Sequence, residues 1–310
     1  MMIHSILAAT DLDSPSVAAA RWALDHLAPG AEATLLYVID PPDRPSFGEH
    51  LLPPPEDIEA AAREHANARL RDIAEIALGG IPRYDVRSGR PHEVIVEVAA
   101  ELNAGVVVIG PHGGRPRPHK FLGTTAERVA RSASAPVLIG TNPPSGPPRR
   151  ILVPVDDADI TPVLLDWTRL LAEQFDAEVK LLHVWSNAAF SHVASITYAT
   201  ARSEERARTD IGNVLRDAAD HWLHKMVGTG IAADRLTSAV TYGNAGERAL
   251  EVADSMRAEL IIVGRTGAGL VRAAFLGSTV GTILHGARCP VLVITNPART
   301  GQSADRPPSR

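Results

Sequence analysis

The chain carries the stretch LIIVGRTG at residues 260–267 and, after nine further residues, the stretch GSTV at residues 277–280. Four apolar residues predict a buried parallel strand, and the two glycines that follow let the backbone turn tightly and approach a ligand without an intervening Cβ. The last glycine precedes a predicted helix, whose free N–H groups and positive dipole end favour an anion. A strand, a glycine loop and a helix in this order predict an α/β fold that binds a phosphate-bearing ligand.

The first half of the chain contains the same order of residues. The stretch VVVIGPHG at 106–113 is followed, again after nine residues, by GTTA at 123–126. A shift of 154 residues superimposes these stretches, and a shift of 145 near the start of each half matches Asp11 to Asp156 and Trp22 to Trp167. Self-similarity of this length indicates a duplicated domain. We therefore predict a first domain over residues 1–141, a Pro-rich linker over 142–149, a second domain over 150–296 and a disordered tail over 297–310.

Each half alternates apolar runs with helical patterns, which predicts five strands and four helices. In the first half the runs lie near residues 3–10, 34–39, 84–87, 106–109 and 137–139, and the helices begin near residues 14, 56, 92 and 125. Alternating strands and helices predict an α/β chain with two tandem, doubly wound, parallel five-stranded sheets and helices on both faces. Ligands in such sheets bind beyond the carboxyl ends of the strands, where the strand order reverses.

The composition argues against several classes of protein. A formal net charge of −5 over 310 residues argues against a nucleic-acid-binding protein, which would present a basic face. The single cysteine, Cys289, cannot form an intramolecular disulfide and is predicted to be a small core residue in a reducing compartment. The N-terminus lacks the basic segment of a signal peptide, and no stretch approaches the ~18 apolar residues of a membrane span. These features predict a cytoplasmic protein with neither nucleic-acid nor membrane partners.

Further motifs stand at the ends of the predicted strands. The first strand of each half ends in LAATD at 7–11 or LVPVD at 152–156, and the second in LYVID at 36–40 or LHVW at 182–185. Together with the two G-x2-G-x9-G-[ST] patterns, these residues resemble the universal stress protein family in its tandem two-domain, ATP-binding form. The resemblance implies the strand order 3-2-1-4-5 in each half, a regulatory role in the stress response and bound ATP, with or without Mg or Mn.

The resemblance also implies roles for individual residues. Val38 and Val184 would meet the adenine through their main chain, and Asp11 and Asp156 would lie near the ribose or a phosphate-bound divalent ion. The phosphates would contact Gly110, Gly113, Gly123 and Thr124 in the first half, and Gly264, Gly267, Gly277, Ser278 and Thr279 in the second. The remaining candidates are Ala9, which stands where the second half has Pro154, Thr125, which matches Thr279, and Arg265, which is either a phosphate neighbour or a solvated arginine.

Several alternatives stay open at this point. The glycines could serve tight strand-to-helix packing without a ligand, and Asp11 and Asp156 could cap the first helix of each half. No G-x4-G-K-[ST] loop, catalytic residue or metal-ligand spacing of histidines is recognisable, so we expect no enzyme. A slow nucleotide hydrolase used as a timed switch, and an interaction module that binds no nucleotide, are the alternative functions.

The expected partners are an adenine nucleotide and a protein of unknown identity. The two halves are expected to pair within the chain with pseudo-two-fold symmetry, and the chain could also form a homodimer. Of the two nucleotide sites, the second follows the family pattern more closely, because the first glycine loop contains Pro116 and Pro118.

Overall fold

The computed structural model describes residues 3–40, 55–80, 83–111, 122–156, 160–185, 234–265 and 276–295, together with residues 212, 213, 216, 217 and 231. The chain forms two compact units, one built on Met1–Gly146 and the other on Pro147–Thr266 and Leu276–Ile294. The predicted tail at 297–310 lies outside the described residues. Among the helices of the described part, none combines the length and the hydropathy needed to cross a bilayer.

The first unit alternates strands and helices. Its strands are β1 Ser5–Thr10, β2 Glu32–Ile39, β3 Arg83–Ser88, β4 Val106–Ile109 and β5 Val137–Ile139. Its helices are α1 Ser14–Trp22, α2 Pro55–Asp72, α3 Pro91–Glu101 and α4 Thr124–Ser132. The first two helices continue into π-helical turns at Ala23–Leu27 and Ile73–Ala77. Prolines in the first turns of α1 and α3 help to start these helices, because the missing N–H has no intrahelical partner there.

The second unit repeats this order. Its strands are β6 Arg150–Val155, β7 Glu178–Trp185, β8 Leu236–Tyr242, β9 Leu260–Gly264 and β10 Val291–Ile294. Its long helices within the described ranges are α5 Thr161–Phe175, α6 Ala245–Met256 and α7 Ser278–Gly286. Helix α6 begins at Asn244, whose side-chain oxygen accepts from the N–H groups of Gly246 and Glu247, as expected of an N-cap asparagine.

The strand order confirms the predicted fold class in each unit. In the first unit β1 pairs with β2 and β4, while β3 and β5 flank them, all in parallel, so the order is β3-β2-β1-β4-β5. The second unit has the matching order β8-β7-β6-β9-β10. The helices of the first unit form two groups: α1 packs against the π-helical turn that follows α2, and α3 packs against α4. The first strand of each unit therefore lies at the switch point, where the order of successive strands across the sheet changes direction.

The strands that precede the glycine loops are deeply buried. No side chain of β4 is more than 7% exposed, and residues 260–263 of β9 are at most 2% exposed. Burying each of these aliphatic side chains contributes roughly 1.5–3 kcal/mol. The edge strand β3 is more exposed. Val86 is its one buried side chain, and its remaining side chains are polar or aromatic. Each glycine loop thus leaves the sheet from a rigid, buried strand.

Gly140 follows β5 and lies against helix α1. Its N–H donates to the carbonyl of Ile109 at 2.9 Å. A Cβ built on Gly140 would lie 2.1 Å from Cβ of Ala19 and 3.0 Å from its Cα. Helix α1 can therefore pack on this end of the sheet only because residue 140 has no side chain.

We expect Gly140→Ala to destabilise the first unit by about 1–3 kcal/mol, because the added methyl group must push α1 away from the sheet. Urea denaturation of the full chain measures the change. Gly146→Ala is the matched control, since nothing lies within 4 Å of a Cβ at that position. Equal midpoints for the two variants would contradict the packing described for Gly140.

Cys289 is a buried core residue, as predicted, with 9% of its surface exposed. Burial raises the pKa of its thiol to about 12. We therefore expect the folded protein to resist a thiol-reactive disulfide reagent at pH 8 and to react only as fast as it unfolds. Because the unfolded thiol ionises near its ordinary pKa of about 8.5, this group should lower the free energy of unfolding as the pH rises from about 9 towards 12. Rapid labelling of the native protein would contradict this expectation.

Candidate functional site

The second strand of the first unit extends past the first strand at their carboxyl ends. Strand β1 ends at Thr10, which is paired with Tyr37, whereas β2 continues through Val38 and Ile39 in register with β3. The carbonyl of Ile39 accepts from the N–H of Gly89 on the β3 side at 2.9 Å. Because successive carbonyls of a strand point to opposite sides, the carbonyl of Val38 faces the space beyond the end of β1.

The second unit repeats this arrangement. Strand β6 ends at Val155, paired with His183, and β7 continues through Val184 and Trp185 in register with β8. The carbonyl of Trp185 accepts from the N–H of Gly243 at 3.0 Å, so that of Val184 faces the space beyond β6. Each unit therefore has a crevice at its switch point, with a main-chain carbonyl on one wall. Both residues predicted to meet a base lie on that wall.

Gly110 and Gly264 form the opposite wall, at the ends of β4 and β9. A Cβ on Gly110 would lie 3.0 Å from Cβ of Ser16, and one on Gly264 would lie 2.8 Å from Cγ2 of Ile160. These glycines allow the start of α1 or α5 to approach the sheet, so the packing alternative applies to both. Their predicted contact with phosphate stays a prediction.

The third glycine of each pattern is the N-cap of a helix, and the two differ in conformation. Gly277, before α7, has φ 83°, with no atom within 4 Å of a built Cβ. Gly123, before α4, has φ −66°, which any residue adopts, and its N–H donates to the carbonyl of Pro111 at 2.7 Å. Thr124 and Thr125, or Ser278 and Thr279, then form the first helical turn. A helix start leaves N–H groups without intrahelical partners, which suits an anion.

Asp11 is tied to the start of α1 by its carboxylate. Its Oδ1 accepts from the hydroxyl of Ser16 at 2.6 Å and from the N–H of Asp13 at 3.2 Å. The hydroxyls of Ser16 and Thr10 are 2.8 Å apart. The N-cap position of α1 belongs to Asp13, so Asp11 is not the capping residue that one alternative supposed.

Asp156 stands at the matching place after β6 and is exposed. Here the helix N-cap is Ile160, so Asp156 is not the capping residue either. The hydroxyl of Thr161 donates to the main-chain carbonyl of Asp156 at 2.7 Å. Both aspartates therefore lie at the carboxyl end of a central strand, at the mouth of the crevice.

Ser16 and Thr161 are residues that the sequence prediction missed. They are 3% and 0% exposed, and each fixes the main chain or side chain of the aspartate five residues earlier. The shift of 145 residues that matches Asp11 to Asp156 also matches these two hydroxyl residues. This match between Ser16 and Thr161 is the feature of the sequence that could have identified them.

Ala9 and Pro154 have different effects on the sheet beside the crevice. Strand β1 pairs with β4 up to Ala9, opposite Ile109. Strand β6 pairs with β9 only at Ile151 and Leu152. Pro154 has no N–H to donate, and the ladder between β6 and β9 ends before it. The hydrogen-bond ladder beside the second crevice is therefore shorter than the one beside the first.

Arg265 follows β9, and Trp185 is the last residue of β7. The main-chain N–H of Arg265 donates to the carbonyl of Ile294 at 2.8 Å, and burial lowers the pKa of its guanidinium. The predicted contact of Arg265 with phosphate stays a prediction. Trp185 packs edge-to-face on His183 with ring centroids 5.2 Å apart, and Nδ1 of His183 lies 3.0 Å from the carbonyl of Val155. The indole nitrogen of Trp185 is buried, and the described residues provide no hydrogen-bond partner for it.

Gly113 and Gly267, predicted to contact phosphate, lie outside the described residues, as do Pro116 and Pro118. Within the described ranges, no group of three or more His, Cys, Asp or Glu side chains is placed to hold a metal ion. The predicted placement of Asp11 and Asp156 near a phosphate-bound Mg or Mn stays a prediction.

Comparison with known proteins yields a consistent set of relatives. The model of the family described as "Universal stress protein family" matches the chain twice, at residues 2–139 and 148–295. Universal stress protein Rv2005c of Mycobacterium tuberculosis is 23% identical over 308 residues, covering 94% of this chain and 96% of that protein. Universal stress protein Rv2623 of the same organism is 26% identical over 296 residues, covering 91% and 93%. The crystal structure of a universal stress protein from Archaeoglobus fulgidus has a TM-score of 0.63 at 20% identity and covers 94% of this chain and 96% of its own, which shows the fold alone.

We expect Ser16→Ala to lower the free energy of unfolding by about 1–3 kcal/mol, because it removes the buried hydroxyl between Thr10 and Asp11. The matched control is Ser14→Ala, an exposed position in the same helical turn, which should change stability by less than about 0.5 kcal/mol. Urea denaturation of both variants measures the difference. Two equal free energies would show that the hydroxyl does not hold this turn.

Proposed function

The chain belongs to the universal stress protein family, and on that basis we propose that it is an ATP-binding regulatory module of the stress response, with a nucleotide crevice in each half. The observation that carries the proposal is the direction of the carbonyls of Val38 and Val184, which face the space beyond β1 and β6. An acceptor at that place suits an exocyclic amino group. Adenine carries one at its 6-position, whereas hypoxanthine and guanine carry an oxygen.

The phosphates of ATP would lie at the opposite wall. Helices α4 and α7 both begin at a glycine, with a hydroxyl residue, Thr124 or Ser278, in the first turn. Free N–H groups and the positive end of the helix dipole attract an anion without a lysine. This arrangement supports phosphate binding through the main chain.

A divalent ion would lie between the phosphates and a strand-end aspartate. Mg²⁺ prefers carboxylate and phosphate oxygens and keeps several waters, so one carboxylate from the protein is sufficient. Asp11 and Asp156 stand at the ends of the central strands, where such an ion would sit. We therefore propose that Mg or Mn binds together with ATP and is not held by the protein alone.

The regulatory role follows from the absence of a catalytic group among the motifs of the chain. Bound ATP would favour one conformation of a half over another, and a protein partner would bind that conformation. Pairing of the two halves, a homodimer and a cytoplasmic location complete the proposal. Pairing of the halves and formation of a homodimer would each change which surface is available to the protein partner.

The experiment is a calorimetric titration of the full chain with ATP, and with ITP as the matched ligand. ITP carries an oxygen in place of the 6-amino group of ATP and a hydrogen on N1. We expect ATP to bind at least about tenfold more tightly, which corresponds to about 1.4 kcal/mol, because ITP would place an oxygen against the carbonyl of Val38 or Val184. Nucleotide released from the purified protein by denaturation should also contain adenine.

Three results would contradict the proposal. The absence of ATP binding, together with the absence of released nucleotide, would favour the interaction module. Equal affinities for ATP and ITP would remove the base contact described for Val38 and Val184. Rapid ADP formation in a single-turnover assay with Mg²⁺, abolished by Asp156→Ala, would favour the hydrolase.

A further inference from the structure

We propose that the two crevices are not equivalent, and that the chain binds a single ATP, in its second half. This inference rests on the proposed function and adds its stoichiometry and location. Three differences between matching residues of the two halves support it. All of them lie within the described ranges.

The first difference is at the helix that would bind the phosphates. In the first half the N–H of Gly123 donates to the carbonyl of Pro111 at 2.7 Å, which joins the two ends of the glycine loop. A phosphate at that place would have to displace this bond. In the second half Gly277 adopts φ 83°, with open space on its Cβ side. A glycine is needed there for its conformation, whereas Gly123 adopts angles that any residue can reach.

The second difference is a cation. Arg265 and Pro111 occupy equivalent positions, one residue after the glycine that ends the strand. The guanidinium of Arg265 is partly withdrawn from water, which lowers its pKa. An anion beside it would stabilise the charged form. Pro111 offers neither a charge nor an N–H to a phosphate.

The third difference is the hydrogen-bond ladder between the first and fourth strands. Ala9 keeps β1 paired with β4 up to Ile109, whereas pairing of β6 with β9 ends at Leu152. Pro154 removes the N–H that would continue this ladder. The ladder beside the second crevice is therefore shorter than the one beside the first.

Calorimetry of the full chain with ATP and Mg²⁺ tests the inference. We expect a stoichiometry of one ATP per chain. Arg265→Gln should lower the affinity at least tenfold, because it removes the cation while keeping a side chain of similar length. Arg288→Gln, an exposed arginine at the end of α7, is its matched control and should stay within twofold of the original chain.

Gly277→Ala is a second, independent variant. Alanine strongly disfavours φ 83°, so the start of α7 should shift and the affinity for ATP should fall at least tenfold. Gly281→Ala, four residues later in the same helix with no atom within 4 Å of a built Cβ, controls for the added methyl group. Circular dichroism and the urea midpoint of each variant separate a binding defect from unfolding.

A stoichiometry of two would overturn the inference and leave the proposed function standing. A stoichiometry of one that survives both Arg265→Gln and Gly277→Ala would place the nucleotide elsewhere and also overturn it. The absence of ATP binding to the original chain would remove both the inference and the proposed function.

Discussion

The site depends on a difference in length between neighbouring parallel strands. In each unit the central strand stops one or two residues before its neighbour, at Thr10 beside β2 and at Val155 beside β7. The neighbour stays extended because its other edge remains paired and is closed by a glycine N–H, from Gly89 or Gly243. The carbonyl of Val38 or Val184 therefore faces the space beyond the end of the shorter strand, where no strand pairs with it. The rigidity of this wall comes from the sheet and not from any side chain.

The glycines have two functions that do not compete. Gly110 and Gly264 allow α1 and α5 to approach the strands, and Gly140 does the same at the next strand. Because the helix that follows the first strand must pack here in any case, these glycines would be needed even if nothing were bound. Close packing also brings the strand-end aspartates to the mouth of the crevice. The geometry that stabilises the fold is thus the geometry that shapes the site.

Duplication allows one copy to change while the other keeps the site. Pro154 against Ala9, Arg265 against Pro111 and Trp185 against Ile39 are single-residue differences on one backbone plan. Each leaves the strand order intact, because the buried aliphatic strands and not these residues hold the sheet together. Differences at strand ends change the charge and hydrogen-bonding capacity of a crevice at little cost to the core. Two halves of the same fold can therefore differ in what they bind.

The sequence by itself determined the fold class and the duplication, because apolar periodicity, proline and glycine act locally and were repeated in both halves. The strand order was implied by the resemblance to the family and not by these patterns. It also placed Val38, Val184 and the two aspartates at the carboxyl ends of the correct strands. It could not determine that Ser16 and Thr161 hold the two aspartates in place or that the N–H of Gly123 donates to the carbonyl of Pro111. Nor could it determine that the pairing of β6 with β9 ends before Pro154. Those facts depend on which atoms meet across segments that are distant in the chain, and only tertiary packing decides that.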